Sequence, residues 1–221
     1  MSDAFLAIGL TAVLAYLMGS LNFAVIISKF FLKDDVRNHG SGNAGFSNMM
    51  RNFGTGPAVA TLVGDFLKGF LAVLLGRYLF ARLGVDGYGD FLGAYCVMAG
   101  HVFPVFFGFK GGKAIASALG VLVAIDPIVF GILAVIFIPI VPISGYVSLA
   151  SVLGACGFPV VLGIVRYFEG RFDPTEIALG AVLGGIVIFL HRANIKRLLS
   201  GTENKLVRKK PRAGEEKKEE P

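Results

Sequence analysis

Seven apolar stretches, at about 4 to 31, 57 to 76, 91 to 109, 114 to 125, 128 to 143, 145 to 165 and 175 to 190, leave little of this chain outside them. A hydrocarbon core takes about 20 helical residues per crossing, so a chain of 221 residues has room for about five to eight crossings and almost none for a soluble domain. The expectation is one all-α integral membrane unit over residues 1–203, a polytopic bundle of about seven transmembrane helices, some short or broken. Residues 4 to 27 lack a basic leading region and a small-residue cleavage site, and so read as a retained first span.

The doubtful point is Asp126-Pro127, where proline removes a backbone donor and turns the preceding residue away from helix. Residues 114 to 143 are therefore one kinked span or two, and charge parity decides between them. With seven segments and the N-terminus outside, one side of the membrane collects Lys33, Arg37, Arg51, Lys110, Lys113 and the basic residues from Arg192 onward. The other side keeps only Arg77, Arg82, Arg166 and Arg171. Fusing the two stretches scatters that bias, which the positive-inside tendency disfavours. The expected placement is a multi-pass protein of the bacterial inner membrane with its C-terminus in the cytoplasm.

Net charge of +6 could point to nucleic acid, but ten of the 21 Lys and Arg lie after residue 190, as a membrane-flanking tail would have them. No nucleic-acid partner is expected. Residues 204–221 are charge-rich and nearly free of apolar residues, and read as a disordered cytoplasmic tail. Cys96 and Cys156 sit in apolar runs without partner spacing, so no disulfide framework and no metal site is implied. Most of the 30 glycines, Gly180 and Gly184 among them, read as close-packing positions between helices.

Polar residues that gain nothing from lipid gather in three segments, all expected on the cytoplasmic side. In HGSGNAGFSNMMRNFG, residues 39 to 54, Ser41, Asn43, Ser47 and Asn48 offer short donors and acceptors, and Arg51 a planar fork suited to phosphate. In GHVFPVFFGFKGGKAIASALG, residues 100 to 120, Lys110, Gly111, Gly112 and Lys113 precede a helix-like run. Two glycines would let backbone N–H groups face a ligand, and a helix N-terminus with two ammonium groups would complete an anion cradle. The G-x-x-x-x-G-K-S/T spacing is absent, which argues against a nucleotide. The third segment combines GYVSLAS at 145 to 151 with HRANIKRLLSGTE at 191 to 203, where His191 and Asn194 share a helical face. Asp65 and Lys68 are helical neighbours inside a span and read as an inward-facing structural pair. His101 and Glu203 read as structural too, the latter as a partner for Lys196 and Arg197.

Taken together these blocks resemble the PlsY family, the bacterial acyl-phosphate:glycerol-3-phosphate acyltransferases. The resemblance runs through GSLNF at 19 to 23, GSGNAGFSNMMRNFG at 40 to 54, DFLKG at 65 to 69, the 100 to 120 block, YVSLASV at 146 to 152 and HRANIKRLLSGTE at 191 to 203. It implies a seven-helix fold with its site at the cytoplasmic boundary. It also implies acyl phosphate as donor, glycerol 3-phosphate as acceptor and 1-acylglycerol 3-phosphate as product, with no cofactor. By position it places catalytic roles on Ser41, Arg51, Lys113, His191 and Asn194. Substrate binding falls on Asn43, Lys110, Gly111, Gly112 and a serine of the YVSLAS block, for which Ser151 is favoured over Ser148. Membrane lipid and the soluble enzyme that makes acyl phosphate are the implied further partners. Ala114 stands where the family commonly has glycine, a departure expected to touch affinity rather than activity.

Glycerolipid acyltransferases that use acyl-CoA or acyl carrier protein carry histidine followed five positions later by aspartate. Here those positions hold Ala44, Phe106 and Lys196. An acyl phosphate already has a good leaving group, so positioning and charge neutralisation can dominate. His191 either removes the acceptor proton or only orients the acceptor. A small-anion transporter, which would also place broken helices around a polar cavity, is the rival reading.

Overall fold

The computed structural model describes residues 2–206, and every described element is helical. In chain order these are α1 (Ser2–Ser20), α2 (Phe23–Ile26) continuing into a π-helical turn (Ile27–Phe31), α3 (Phe46–Phe53), α4 (Thr55–Arg82), α5 (Gly89–Val102), α6 (Ile115–Ile125), α7 (Pro127–Phe137), α8 (Ile140–Ser144), α9 (Val147–Phe168), α10 (Pro174–Leu190) and α11 (Arg192–Leu199). Five stretches are long and apolar enough to cross a membrane: 2–31, 55–82, 89–107, 127–144 and 147–168. A sixth appears if α10 and α11, bent by 60° at His191, form one span. The α6 helix, at 11 residues, covers about half of a hydrocarbon core. Length and apolarity therefore give five or six crossings, and a count of seven needs α6 as one more.

The break expected between residues 114 and 143 is real. Asp126 is extended (φ −157, ψ 110), and its carboxylate accepts from the Ile128 and Val129 amides, with Pro127 opening α7. That is an N-cap followed by a proline whose missing donor costs nothing there. Arg77 donates to the Ala124 and Ile125 carbonyls and so closes the end of α6. The Arg166 guanidinium, buried at the same end of the bundle, bridges Asp126, Glu169 and Glu176.

Packing follows the small residues. The α1 helix lies against α5, α4 against both α5 and α6, and α9 against α10. A Cβ on Gly69 would strike the Ser117 carbonyl, and one on Gly120 the Phe66 carbonyl, so α4 and α6 meet backbone to backbone. Gly184 plays the same part against Ala155 in the α9 to α10 contact. Without a hydrophobic drive in lipid, such close approach supplies dispersion contact along the whole interface.

The Asp65–Lys68 pair faces inward as expected. The Lys68 ammonium lies 2.7 Å from Asp65 and donates to the Gly19 and Leu21 carbonyls, at the break that ends α1. An intramembrane charge is thus matched by a carboxylate and by carbonyls that a helix end leaves unpaired. Residues 204–206, expected within the tail, instead pack back over the start of α9. The rest of the expected tail, 207–221, lies outside the described residues.

Candidate active site

Asn48 shapes the first polar loop. Buried at 1% exposure, it donates to the Val36 and His39 carbonyls at 3.0 Å each. Its amide oxygen accepts from the Ser41 amide at 3.2 Å, from Asn52 at 3.0 Å and from Arg51 at 3.4 Å. This one side chain folds residues 36 to 41 onto α3 and brings the Arg51 fork to 3.3 Å from the Ser41 hydroxyl. Ser41, Asn43 and Arg51 all line one cavity. Asn48 was recognisable only as one polar residue among several, because the loop groups it ties down, the Val36 and His39 carbonyls and the Ser41 amide, are backbone groups that a side-chain pattern does not reveal.

The KGGK turn departs from the expected cradle. The Gly111 amide donates to the Val102 carbonyl at 3.1 Å and the Gly112 amide to the His101 carbonyl at 3.2 Å, so neither is free for a ligand. The glycines are needed for close approach: a Cβ on Gly111 would run into the His101 carbonyl, and one on Gly112 into the Ala44 carbonyl. Lys110 is exposed and does not line the cavity; its carbonyl accepts from Arg37, which also holds the Phe107 carbonyl and pairs with Asp35. Of the four turn residues only Lys113 reaches the cavity. The start of α6 lines it too, through Ala114, Ile115 and Ala116. Phe46 and Ser47 at the start of α3, and Val147 and Ser148 at the start of α9, line it as well. Three helix N-termini thus border one space, and a helix start carries the positive end of its dipole and first-turn amides without an intrahelical partner.

His101 and Asp65 also line the cavity, at its buried end, with the imidazole Nδ1 3.5 Å from both Asp65 and the Ser117 hydroxyl. His191 sits at the bend between α10 and α11. Its Nδ1 is 2.8 Å from the Val187 carbonyl; a carbonyl can only accept, so Nδ1 carries the proton and Nε2 is the atom left for chemistry. Asn194 joins two motifs, accepting from the Lys113 ammonium and donating to Glu203 at 2.6 Å. Glu203 also accepts from Ser148 at 2.8 Å and from the Arg197 Nε at 2.7 Å. It pairs with Arg197 as expected, but also lines the cavity. Both serines of the YVSLAS block do so too, yet the Ser151 hydroxyl is taken up by the Val147 carbonyl at 2.9 Å. The polar network runs through Ser148.

The cavity holds about 360 Å³. Arg51, Lys113 and Arg197 bring three cations to it against the carboxylates of Glu203 and of Asp65, the latter paired with Lys68. Burial, aided by Arg197 and Arg51 and opposed by Glu203, lowers the Lys113 amine to about 8. Burial lowers Arg51 as well. Glu203 resists the upward push of burial because Asn194, Ser148 and Arg197 hydrogen-bond its charged form, which holds it below the ordinary carboxylate range. An apolar groove of about 180 Å³ opens from the same walls at Ile115, Leu119, Val141, Val147 and Ser151, and runs between Phe130, Phe137 and Phe158.

A family model described as glycerol-3-phosphate acyltransferase matches residues 9–201. A relative of that description from Clostridioides difficile (strain 630) is 40% identical over 90% of this chain and 95% of its own length. Another from Bordetella pertussis (strain Tohama I / ATCC BAA-589 / NCTC 13251) is 41% identical over 90% and 91%. Among solved structures, PlsY (YgiH), an integral membrane glycerol 3-phosphate acyltransferase, is similar in its glycerol 3-phosphate form with a TM-score of 0.77 and 35% identity, over 93% of this chain and 96% of that one. Its lysophosphatidic acid form gives 0.76 and 35%, over 93% and 95%.

Proposed function

The chain belongs to the glycerol-3-phosphate acyltransferase family, and from that premise we propose that it moves a fatty acyl group from acyl phosphate onto glycerol 3-phosphate, giving 1-acylglycerol 3-phosphate and inorganic phosphate. The observation that carries this reading is the junction of an electropositive cavity with an apolar groove: Arg51, Lys113, Arg197 and three helix N-termini on one side, Phe130, Phe137 and Phe158 on the other. Two phosphorylated molecules, one with an alkyl chain, fit that division.

In this reaction the acceptor hydroxyl attacks the acyl carbon. A carbon–oxygen bond forms, the bond from the acyl carbon to the phosphate oxygen breaks, and phosphate leaves with the electron pair. Arg51 and Lys113 hold the phosphates and neutralise the charge that builds on the leaving group. Ser41, Asn43 and Asn194 orient the reacting groups, and Ser148 takes the binding role first assigned to Ser151. The hydroxyl proton passes to His191 Nε2, within a site whose other ring nitrogen is fixed by Val187. Lys110, Gly111 and Gly112 act indirectly, by holding the turn that aims Lys113 and the start of α6.

The charge bias of the sequence supports a bacterial inner-membrane protein with the cavity opening to the cytoplasm, where a soluble acyl-phosphate-producing enzyme can deliver the donor. The purified protein in detergent, given labelled glycerol 3-phosphate, should form labelled lipid with acyl phosphate and release phosphate in equal amount. Comparable turnover with acyl-CoA would overturn the donor assignment.

A further inference from the structure

The last described residues return to the mouth of the cavity. After α11 the chain turns at Gly201 (φ +70), and residues 202–206 run back as a strap without helix. Thr202, Asn204 and Lys205 are exposed, while Glu203 and Leu206 are half-buried. Thr202 stays tied to the turn through the Arg197 carbonyl and the Ser200 hydroxyl, and two further attachments hold the rest of the strap. The Leu206 amide donates to the Gly145 carbonyl at 2.9 Å, with the Lys205 ammonium 5.7 Å from the centre of the Tyr146 ring. Glu203 reaches inward, and Ser148, Asn194 and Arg197 all donate to its two oxygens.

A hydroxyl, an amide and a guanidinium converging on one group make a donor set for any oxyanion, a phosphoryl group included. The anion now in it belongs to the chain itself. Arg197 engages it through Nε, which leaves most of a five-donor fork for a larger anion.

We infer that the Glu203 carboxylate is an internal stand-in for a substrate phosphate, displaced from Ser148, Asn194 and Arg197 when that phosphate enters, and that the 202–206 strap lifts with it. The inference rests on the phosphate-binding reading above. Charge favours the exchange. Each phosphate monoester carries about −1.5 to −2 near pH 7, and a fixed carboxylate beside two of them repels both, whereas its departure frees a third cation. The carboxylate has somewhere to go, because the strap around it already faces water and, past the turn bond from the Thr202 amide to the Arg197 carbonyl, is tied to the protein by a single backbone bond.

The chain has no tryptophan, so Thr202→Trp places a single reporter on the strap, outside the cavity lining. Its emission should shift as glycerol 3-phosphate is titrated into the detergent-solubilised protein, with the midpoint matching the calorimetric Kd. A second variant, Glu203→Gln, keeps an acceptor for Ser148 and Asn194 but removes the charge. It should bind glycerol 3-phosphate and inorganic phosphate about tenfold more tightly than the parent chain. A silent tryptophan at saturating ligand, or equal or weaker binding by Glu203→Gln, overturns the inference. The phosphate reading has its own arm: parent-chain binding that is absent, or unmoved by Arg51→Ala, sinks that reading, while a silent strap with Arg51-dependent binding sinks only the stand-in.

Discussion

Lys113 and Asn194 stand 81 positions apart in the chain and are hydrogen-bonded at the cavity wall, the ammonium donating to the amide oxygen. That bond fastens the turn before α6 to the helix after the final bend. It also fixes a cation whose charge is conditional: burial brings the amine down to about 8, so it is protonated below that pH and neutral above it. A bound phosphate dianion favours the protonated form.

Affinity for glycerol 3-phosphate should therefore fall as pH rises through 8. It should also fall below about 6, where the phosphate itself takes up a proton. One required proton on a group of pKa 8 makes binding about tenfold weaker at pH 9 than at pH 7. Calorimetric titration across pH 5.5 to 9.5 reads this directly. Lys113→Met should bind weakly at every pH and lose the alkaline limb; a limb that survives the substitution would assign it to another group.

Arg51 is held by neutral partners only, the Ser41 hydroxyl at 3.3 Å and the Asn48 oxygen at 3.4 Å, which leaves its charge for a ligand. Removing one such contact should cost about 2 to 4 kcal/mol of transition-state stabilisation, roughly thirtyfold to a thousandfold in kcat/KM. Arg51→Lys should recover little, because a point charge does not replace a bidentate fork. Turnover near that of the parent chain in either variant would remove Arg51 from the site.

His191→Ala separates a base from an orienting group. With Nδ1 committed to Val187, the free Nε2 acting as base should give a drop in kcat of about a hundredfold or more and the loss of the acidic limb of the pH–rate profile. Most of the activity with an unchanged profile would show instead that the departing phosphate takes the proton.

The parts of this molecule that were legible beforehand are those lipid dictates. Apolar runs had to be helices, and Asp126-Pro127 marked where one could end and the next begin, an aspartate cap followed by a proline at the first helical position. That Ser41, Arg51, Lys113, His191 and Asn194 would gather at one cavity could be read because polar groups at a membrane boundary need a reason to be there. What stayed hidden depends on backbone partners and on direction. Nothing in KGGK says that the glycine amides are paired with His101 and Val102, or that Lys110 points away while Lys113 points in. Ser148 and Ser151 are one helical turn apart and face the same space, so only the reach of Glu203, turned back by Gly201, distinguishes them. Asn48 organises its loop through carbonyls that have no side-chain signature.

Ala114 caps α6 in a left-handed conformation (φ +59, ψ 18) and is fully buried. A residue with a Cβ pays about 1 kcal/mol there that glycine does not. Ala114→Gly should relieve that strain in the segment carrying Lys113, and so raise the thermal midpoint or tighten substrate binding by up to fivefold, without changing kcat. A lower midpoint together with weaker binding would mean that the Ala114 methyl fills space more than it strains the turn.

Arg166 offers the complementary test at the far end of the bundle. Its guanidinium, 2% exposed, donates to Asp126 at 2.5 Å, to Glu169 at 3.1 Å and to Glu176 at 2.7 and 2.8 Å. Asp126 in turn caps α7, which carries Phe130 and Phe137 of the apolar groove. Arg166→Met would leave several carboxylates without their shared partner, and breaking a buried pair in this way costs about 3 to 5 kcal/mol. The expected result is a marked fall in the unfolding midpoint in detergent with glycerol 3-phosphate affinity kept, because no phosphate-binding group is near. Any change in catalysis should appear as weaker use of long-chain donors, as the α7 wall of the groove loosens; a stable variant with an intact midpoint would show that the network is dispensable.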